Sequence, residues 1–340
     1  MPRRVLLAPH EVAGQVALTA HALRLAGVDA TAYTQAHPFD YGVRPDETIP
    51  PGRVRPLLRA AQLVKDHDAV HFQFGVSFLP EYARLLDARL IKRLKHGRVL
   101  VTFWGSDIRR PSIERERNPH YVDIPGEADA RAEALLRRWS AVTGGHVVCP
   151  DGALLAHVEP FFAHVHRSKA MIDVSRYEPR PPSAEVDRPV VIHSPTNRVG
   201  KGTAHVRAAV AALERRGLAF EYRELTGLTH QEALSAYAQA DLIVDQLLVG
   251  AHGVFAIEAM SMAKPVIGDV RFAAPHLPDD LPIIQADPHS IERVLADWIQ
   301  RPQDRHDAGL RGRAYAEREH DVHVVGRRLA ALYDELWGSH

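Results

Sequence analysis

Short apolar runs alternate with helical stretches through the first half of the chain, stop at a cluster of four prolines, and then alternate again. This double alternation limits the fold more than any other feature. Residues 4–8 (Arg-Val-Leu-Leu-Ala), 28–33, 69–74 and 99–103 read as buried strands. Between them, residues 15–25, 57–65 and 81–94 carry apolar side chains at helical spacing, and Gly27 and Gly97 follow two of these helices as stop signals. Strands separated by helices make parallel βαβ units. The stretch Glu178-Pro-Arg-Pro-Pro-Ser-Ala-Glu-Val-Asp-Arg-Pro189 has no periodicity and reads as a stiff linker. Beyond it, residues 190–193, 220–223, 242–244 and 265–267 read as strands. Residues 204–216, the segment opened by the capping-box spacing Thr229-His-Gln-Glu232, residues 252–262, and the tail 291–337 read as helical. A length of 340 residues suits two such domains. The fold class expected is α/β, with two Rossmann-like doubly wound domains facing a cleft. The domains would be residues 1–178, a linker at 179–189, and residues 190–318, with a helix at 319–340 expected to pack back on the first domain.

Composition removes several functions. Lys plus Arg number 42 and Asp plus Glu number 42, so no bulk field draws the chain to nucleic acid. The single cysteine, Cys149, excludes an internal disulfide framework and a multi-cysteine metal site, and reads as a buried apolar residue rather than a nucleophile. The start, Met1-Pro-Arg-Arg, is basic, but its apolar run ends at Ala8, too short for a secretory signal, and no stretch is long enough to span a bilayer. A cytoplasmic protein without an integral membrane segment is expected. His157, His164 and His166 cluster, as do His320 and His323; without cysteine beside them they read as surface or capping histidines, and no metal site is expected.

Familiar nucleotide motifs are absent. Gly200-Lys-Gly-Thr203 suggests a P-loop, but Pro195 and Gly202 stand where that motif needs Gly and Ser or Thr. The turn after the first strand, Ala8-Pro-His-Glu-Val-Ala-Gly14, holds one glycine where a dinucleotide fingerprint needs several. No Gly-x-Ser-x-Gly elbow occurs. Two other segments stand out. Ser194-Pro-Thr-Asn-Arg-Val-Gly-Lys-Gly-Thr203 joins a strand to a helix; its glycines, including Gly202, and the helix N-terminus suit an anion, while Arg198 and Lys201 supply two cations fit for a diphosphate. A solvated Arg–Lys surface loop is the alternative. The second runs from Asp245 through His252, Gly253 and Val254 into an apolar helix bearing Glu258. A carboxylate there is costly unless hydrogen-bonded, and paired ribose hydroxyls would suit it; backbone N–H groups or an arginine are the alternatives. The polar stretch 106–127 follows a central strand, where open α/β sheets bind ligands, and reads equally as a solvated excursion.

On these segments the chain resembles the retaining GT-B glycosyltransferases, the group that includes bacterial glycogen synthases. The matching residues are Arg198 to Gly202, the stretch 253–266 with Glu258-Ala-Met260 and Lys264-Pro-Val266, the turn Thr102-Phe-Trp-Gly-Ser-Asp107, and the segments Lys169-Ala-Met-Ile-Asp173 and Tyr177-Glu-Pro179. The resemblance implies that Glu258 holds the ribose of a nucleoside-diphosphate sugar. It also implies that Arg198, Lys201 and the N–H groups at Gly253 and Val254 stabilise the departing diphosphate, with no cofactor and no metal. The acceptor would enter beside His10, Gly14, Trp104 and Asp107. His10 is a candidate general base, which would suit inversion, or a structural histidine; Trp104 would stack on a sugar or cap the core. Two departures stand out: Gly250 occupies the place of the first acid of the family's Glu-x7-Glu motif, and Trp104 stands where histidine is usual. The function implied is transfer of a sugar, with retention, to a hydroxyl of a surface saccharide or small natural product. The alternatives are epimerisation or hydrolysis of a nucleotide sugar, and a degenerate nucleotide-sugar-binding protein.

Overall fold

The structure, a computed structural model, describes residues 4–36, 41–52, 54–150, 152, 154–272 and 278–338; Met1, Pro2 and Arg3 of the basic start lie outside them. Two compact units emerge. Unit 1 comprises Met1–Ile113, Pro125–Met171 and Val322–His340; unit 2 comprises Glu114–Ile124 and Ile172–Asp321.

Unit 1 is built on a seven-stranded sheet of β1 (Arg4–Ala8), β2 (Asp29–Thr34), β3 (Glu47–Thr48), β4 (Ala69–Gln73), β5 (Val99–Thr102), β6 (His146–Pro150) and β7 (His164–Ser168), ordered β3-β2-β1-β4-β5-β6-β7. Every pairing is parallel, with Val5 opposite both Ala30 and Ala69. Alternation of side chains along β1 feeds two cores. Leu6 and Ala8 join Ala60, Leu63, Ala88, Ile91, Leu136 and Trp139 from the helices Val54–Asp66, Leu86–Leu94 and Asp129–Thr143. Val5 and Leu7 join Val16, Ala20 and Leu23 of the helix Gln15–Leu25 and Leu329, Ala330 and Tyr333 of the helix Val322–Trp337. Cys149 is buried in the first of these cores.

Unit 2 carries β8 (Val190–His193), β9 (Glu221–Glu224), β10 (Leu242–Val244), β11 (Val266–Gly268) and β12 (Ile283–Gln285), ordered β12-β11-β10-β8-β9 and again all parallel. Val191, Leu242 and Val244 pack with the helices Thr203–Arg215 and Ile291–Ile299. The helix Val254–Ser261 packs against the helix Pro302–Glu319. The proline-rich stretch 179–189 belongs to this unit, and the change of unit falls between Met171 and Ile172. It is tied down by backbone acceptors: Arg305 donates to Val186 O at 2.6 Å, His306 bonds Pro182 O at 2.9 Å, and Arg180 N bonds Met262 O.

The polar stretch 106–127 is neither a free ligand loop nor wholly a solvated excursion. Its middle, Glu114–Ile124, is part of unit 2, where Asn118 is 1% exposed and Val122 packs against the core. Of the histidines read as surface or capping groups, His157 and His320 are not on the surface: His157 is fully buried and its Nδ1 accepts from Arg110 N at 3.2 Å, and His320 is buried as well.

Candidate functional site

In both sheets the winding reverses beside the first strand, between β1 and β4 in unit 1 and between β8 and β10 in unit 2. Open α/β sheets bind ligands beyond the carboxyl ends of strands at such a reversal. In unit 2 the two loops leaving that point are the two segments singled out above. His193, the last residue of β8, pins them: its Nδ1–H donates to Val244 O at 2.9 Å, and Nε2 lies 2.9 Å from Thr203 Oγ1. Burial lowers its pKa, so the ring is neutral and tautomerically fixed.

After β8, Asn197 caps the short helix Arg198–Lys201, its Oδ1 accepting from Val199 N and Gly200 N at 3.1 Å each. Gly202 has φ +74°, and a Cβ there would lie 3.2 Å from Leu247 and Leu248, so it packs against the second loop. The two cations are held by different carboxylates. Arg198 bonds Glu224 at 3.1 Å and shares it with Arg207, which is the main reason Glu224 has a lowered pKa. Lys201 Nζ lies 2.5 Å from Asp245 Oδ1, with the lysine side chain 14% and the aspartate 2% exposed. Asp245 Oδ2 also accepts from Gly253 N at 3.3 Å, at the start of a helix without a side-chain cap. A Cβ at Gly253 would stand 4.0 Å from Lys201 Nζ, an ordinary contact, so the helix start lies directly beside the ammonium. His252 stands in front of this turn with its ring 5.8 Å from that of His320.

Five residues into the same helix, Glu258 is 7% exposed. Its Oε1 accepts from His230 Nε2 at 2.7 Å and from Tyr177 OH at 3.1 Å, in place of the backbone or arginine partner weighed from sequence. Burial first, then the neighbouring carboxylate, raises the Tyr177 pKa, which keeps its hydroxyl a donor. His230 is placed by the capping box anticipated at Thr229 and Glu232. Gly250 has φ +74°, and a Cβ there would meet Phe272 Cδ2 at 2.7 Å. A side chain at position 250, acidic or otherwise, would have to displace Phe272 and adopt a strained left-handed backbone. The loop around it is held by the Glu114–Ile124 segment: Asn118 Nδ2 donates to Leu248 O at 2.7 Å and Arg117 Nη2 to Phe272 O at 2.6 Å.

In unit 1 the reversal point brings His10 onto Phe74, with ring centroids 4.6 Å apart. Gly14 has φ +76°, and the space beside it is filled by Tyr41 and Val43, whose atoms lie 3.2 and 2.8 Å from a Cβ position. Glu11 supplies the anion at the following helix, accepting from Val16 N at 2.9 Å and Ala17 N at 3.2 Å. Trp104 donates through Nε1 to Gln73 Oε1 at 3.1 Å. Asp107 accepts from Gly105 N at 2.8 Å and Trp104 N at 3.2 Å, and burial pushes its carboxyl up to about 6. Asp107 lines a cavity of about 300 Å³ with Phe74, Gly75, Glu127, Arg84 and Arg131. Among the described residues no group of three or more His, Cys, Asp or Glu side chains could hold a metal ion, and no helix is long and apolar enough to cross a membrane.

Sequence reasoning missed Asp245, His230 and Tyr177. An aspartate directly after the apolar run Leu242-Ile-Val244 was a usable signal for the first. Tyr177 lies in a segment matched to the family and His230 in the capping-box stretch, but nothing local ties either to Glu258, which they meet from 81 and 28 residues away.

No protein-family model matches the chain, and no curated protein matches it in sequence. Solved structures do. Sucrose-phosphate synthase from Thermosynechococcus elongatus is 15% identical with a TM-score of 0.62, covering 99% of this chain and 100% of that one. HepE from Anabaena, in complex with UDP-glucose, is 13% identical with a TM-score of 0.64 over the same shares of the two chains. An alpha-glucosyltransferase in complex with UDP-glucose and DNA containing an abasic site is 11% identical with a TM-score of 0.64, covering 97% and 99%. At these identities the likeness establishes the fold: the chain has the GT-B architecture of glycosyltransferases.

Proposed function

We propose that the chain is a glycosyltransferase that binds a nucleoside-diphosphate sugar on unit 2 and passes its glycosyl group, with retention, to a hydroxyl of a surface saccharide or small natural product. One observation carries this reading. Lys201, the uncapped helix start at Gly253 and the buried Glu258 stand together at the winding reversal of unit 2. Five residues of helix rise about 7.5 Å, the reach from a diphosphate to the ribose of the same nucleotide. Among the described residues both bonds to Glu258 fall on Oε1, which leaves Oε2 for a ribose hydroxyl. Sharing the fold with proteins solved with UDP-glucose supports the same donor class.

In the proposed reaction the acceptor oxygen forms a bond to the anomeric carbon on the face from which the diphosphate departs. The bond from that carbon to the phosphate oxygen breaks, and the acceptor proton passes to that oxygen. Charge gathers on the diphosphate, where Lys201 and the first N–H groups of the helix Val254–Ser261 face it. Arg198 reaches it by leaving Glu224, which Arg207 continues to neutralise. The cavity beside Asp107 is the proposed acceptor pocket. No metal takes part in the proposed step, so activity is expected to survive EDTA.

Calorimetry with UDP, GDP, ADP and dTDP tests the donor site. At one hundred times its dissociation constant a bound diphosphate stabilises the fold by about 2.7 kcal/mol. Lys201→Ala and Glu258→Ala should each weaken the selected ligand. Failure of all four to bind overturns the reading. Phe272 over Gly250 favours a second reading, nucleotide-sugar binding without transfer. Turnover with and without acceptor separates them: acceptor-dependent release of diphosphate supports transfer, acceptor-independent conversion supports hydrolysis or epimerisation, and binding alone supports the second reading.

A further inference from the structure

Helices on the surface of a globular unit ordinarily bury one face and show a polar one. Two neighbouring helices of unit 1 depart from this. Of eleven large apolar side chains exposed among the described residues, seven lie within residues 54–94. The helix Leu86–Leu94 turns Ala88 and Ile91 into the core, yet Leu86, Leu90 and Leu94 point outward at 59, 57 and 59% exposure. Spaced four apart, they fall within one narrow stripe. Tyr82, in the separate turn Glu81–Ala83 that precedes this helix, is 86% exposed. On the helix Val54–Asp66, Ala60, Leu63 and Val64 face the same core while Val54 and Leu58 are 68 and 67% exposed. The two helices cover one core side by side, and Lys95 Nζ reaches Lys65 O at 3.5 Å.

The charge around the leucine stripe is predominantly positive, with Asp66 and Asp68 near Lys95 as acids on the neighbouring segment. Residues 81–98 hold six Arg or Lys and two acids, in a chain whose net charge is zero. Both acids are engaged: Asp87 accepts from Ser77 Oγ and Leu79 N, and Glu81 pairs with Arg131. Arg89 and Arg93 flank the leucine stripe, are exposed, and make no ion pair among the described residues.

We propose that this face of unit 1 docks on an anionic membrane surface, the leucines and Tyr82 entering the headgroup layer and the arginines and lysines meeting anionic lipid. A symmetric second copy suits it less well, because a face meeting itself would set Arg89 and Arg93 against like charges. A basic, apolar-striped surface has both terms that interfacial binding needs. The inference is independent of the donor site.

Co-sedimentation of the full chain with vesicles of phosphatidylcholine, alone or mixed with phosphatidylglycerol, tests it. The expected result is binding to the mixed vesicles only, weakened by high salt. Arg89→Gln and Arg93→Gln should each lower the partition coefficient about fivefold. Leu90→Glu should abolish binding, with the circular dichroism and melting of the chain unchanged. Equal binding to both vesicles, no binding to either, or variants that sediment like wild type would overturn the proposal. So would a dimer in solution that Leu90→Glu dissolves.

Discussion

Gly250→Ala isolates the geometry that sets this chain apart from its resemblance. An alanine at φ +74° sits in the left-handed region, at a cost of about 1–2 kcal/mol. Its Cβ would also lie 2.7 Å from Phe272 Cδ2 and 3.0 Å from Phe272 Cβ, an overpacking worth about 1–3 kcal/mol. Unit 2 should therefore lose about 2–5 kcal/mol, a large part of the stability of an ordinary domain. For a unit of this size the melting temperature falls about 2–4 °C per kcal/mol. Differential scanning calorimetry of wild type, Gly250→Ala, Phe272→Ala and the double variant measures the two parts separately. Removing the ring should relieve the contact with Cδ2 and leave the backbone part and the contact with Phe272 Cβ, which alanine keeps, giving a coupling of about 0.5–3 kcal/mol. Gly250→Glu, which restores the acid of the family motif, should melt at least as low as Gly250→Ala and gain no affinity for a nucleotide sugar. A Gly250→Ala protein that melts with wild type, or a cycle that is additive, would refute the reasoning.

Lys201→Ala leaves Asp245 buried without its cation, so it should both destabilise unit 2 by about 2–4 kcal/mol and lower kcat/KM by at least a hundredfold; thermal shift and steady-state kinetics check the two effects. Glu258→Gln should bring UDP affinity down to that of 2′-deoxyuridine diphosphate in calorimetry, whereas the wild type distinguishes the two if the carboxylate reads the ribose. His71 is 1% exposed between Tyr333 OH and Thr102 Oγ1, each 2.7 Å away, and burial holds its pKa at about 3. Its unfolded pKa is the higher one, so the unfolded chain takes up the proton first. The stability His71 contributes is present above about pH 6.5 and is lost as pH falls toward 3, by up to about 1.4 kcal/mol per pH unit. Urea unfolding of wild type and His71→Gln from pH 4 to 7 should show the steeper loss in wild type. Thr229→Ala removes the cap that places His230 and should cost about 1 kcal/mol in the same assay.

Several buried strands were legible because a parallel sheet covered on both faces turns its strands into continuous apolar runs: β1, β4, β8, β10 and β11 read directly from the chain, whereas β6, with Val147, Val148 and Cys149 buried, went unread. The edge strand β7, His-Val-His-Arg-Ser, has no such run because one of its sides lacks a neighbour, and it escaped notice. The helix Gln15–Leu25 was readable to the residue, since its apolar face and the following glycine agree. The tail read as one helical region divides into three helices, the second opening at Pro302, which only an N-terminal position tolerates. Within the site, Glu258 was legible because a carboxylate in an apolar helix is an anomaly. Asn118 was not, because nothing local distinguishes an asparagine bound for solvent from one that holds Leu248 O from 130 positions away.

The division of the chain into units bears on how the protein is made. The helix Val322–Trp337 supplies Leu329, Ala330 and Tyr333 to the core that holds β1, yet it follows all of unit 2 in the chain. A ribosome therefore delivers every residue of unit 2 before the side chains that close this core of unit 1. During synthesis the first-made half must wait, with Val5, Leu7 and Leu23 uncovered on one side, while the later half completes its sheet. The nascent chain is most exposed to aggregation while unit 2 is emerging. A released chain ending at Asp321 would carry all of unit 2 and leave unit 1 open.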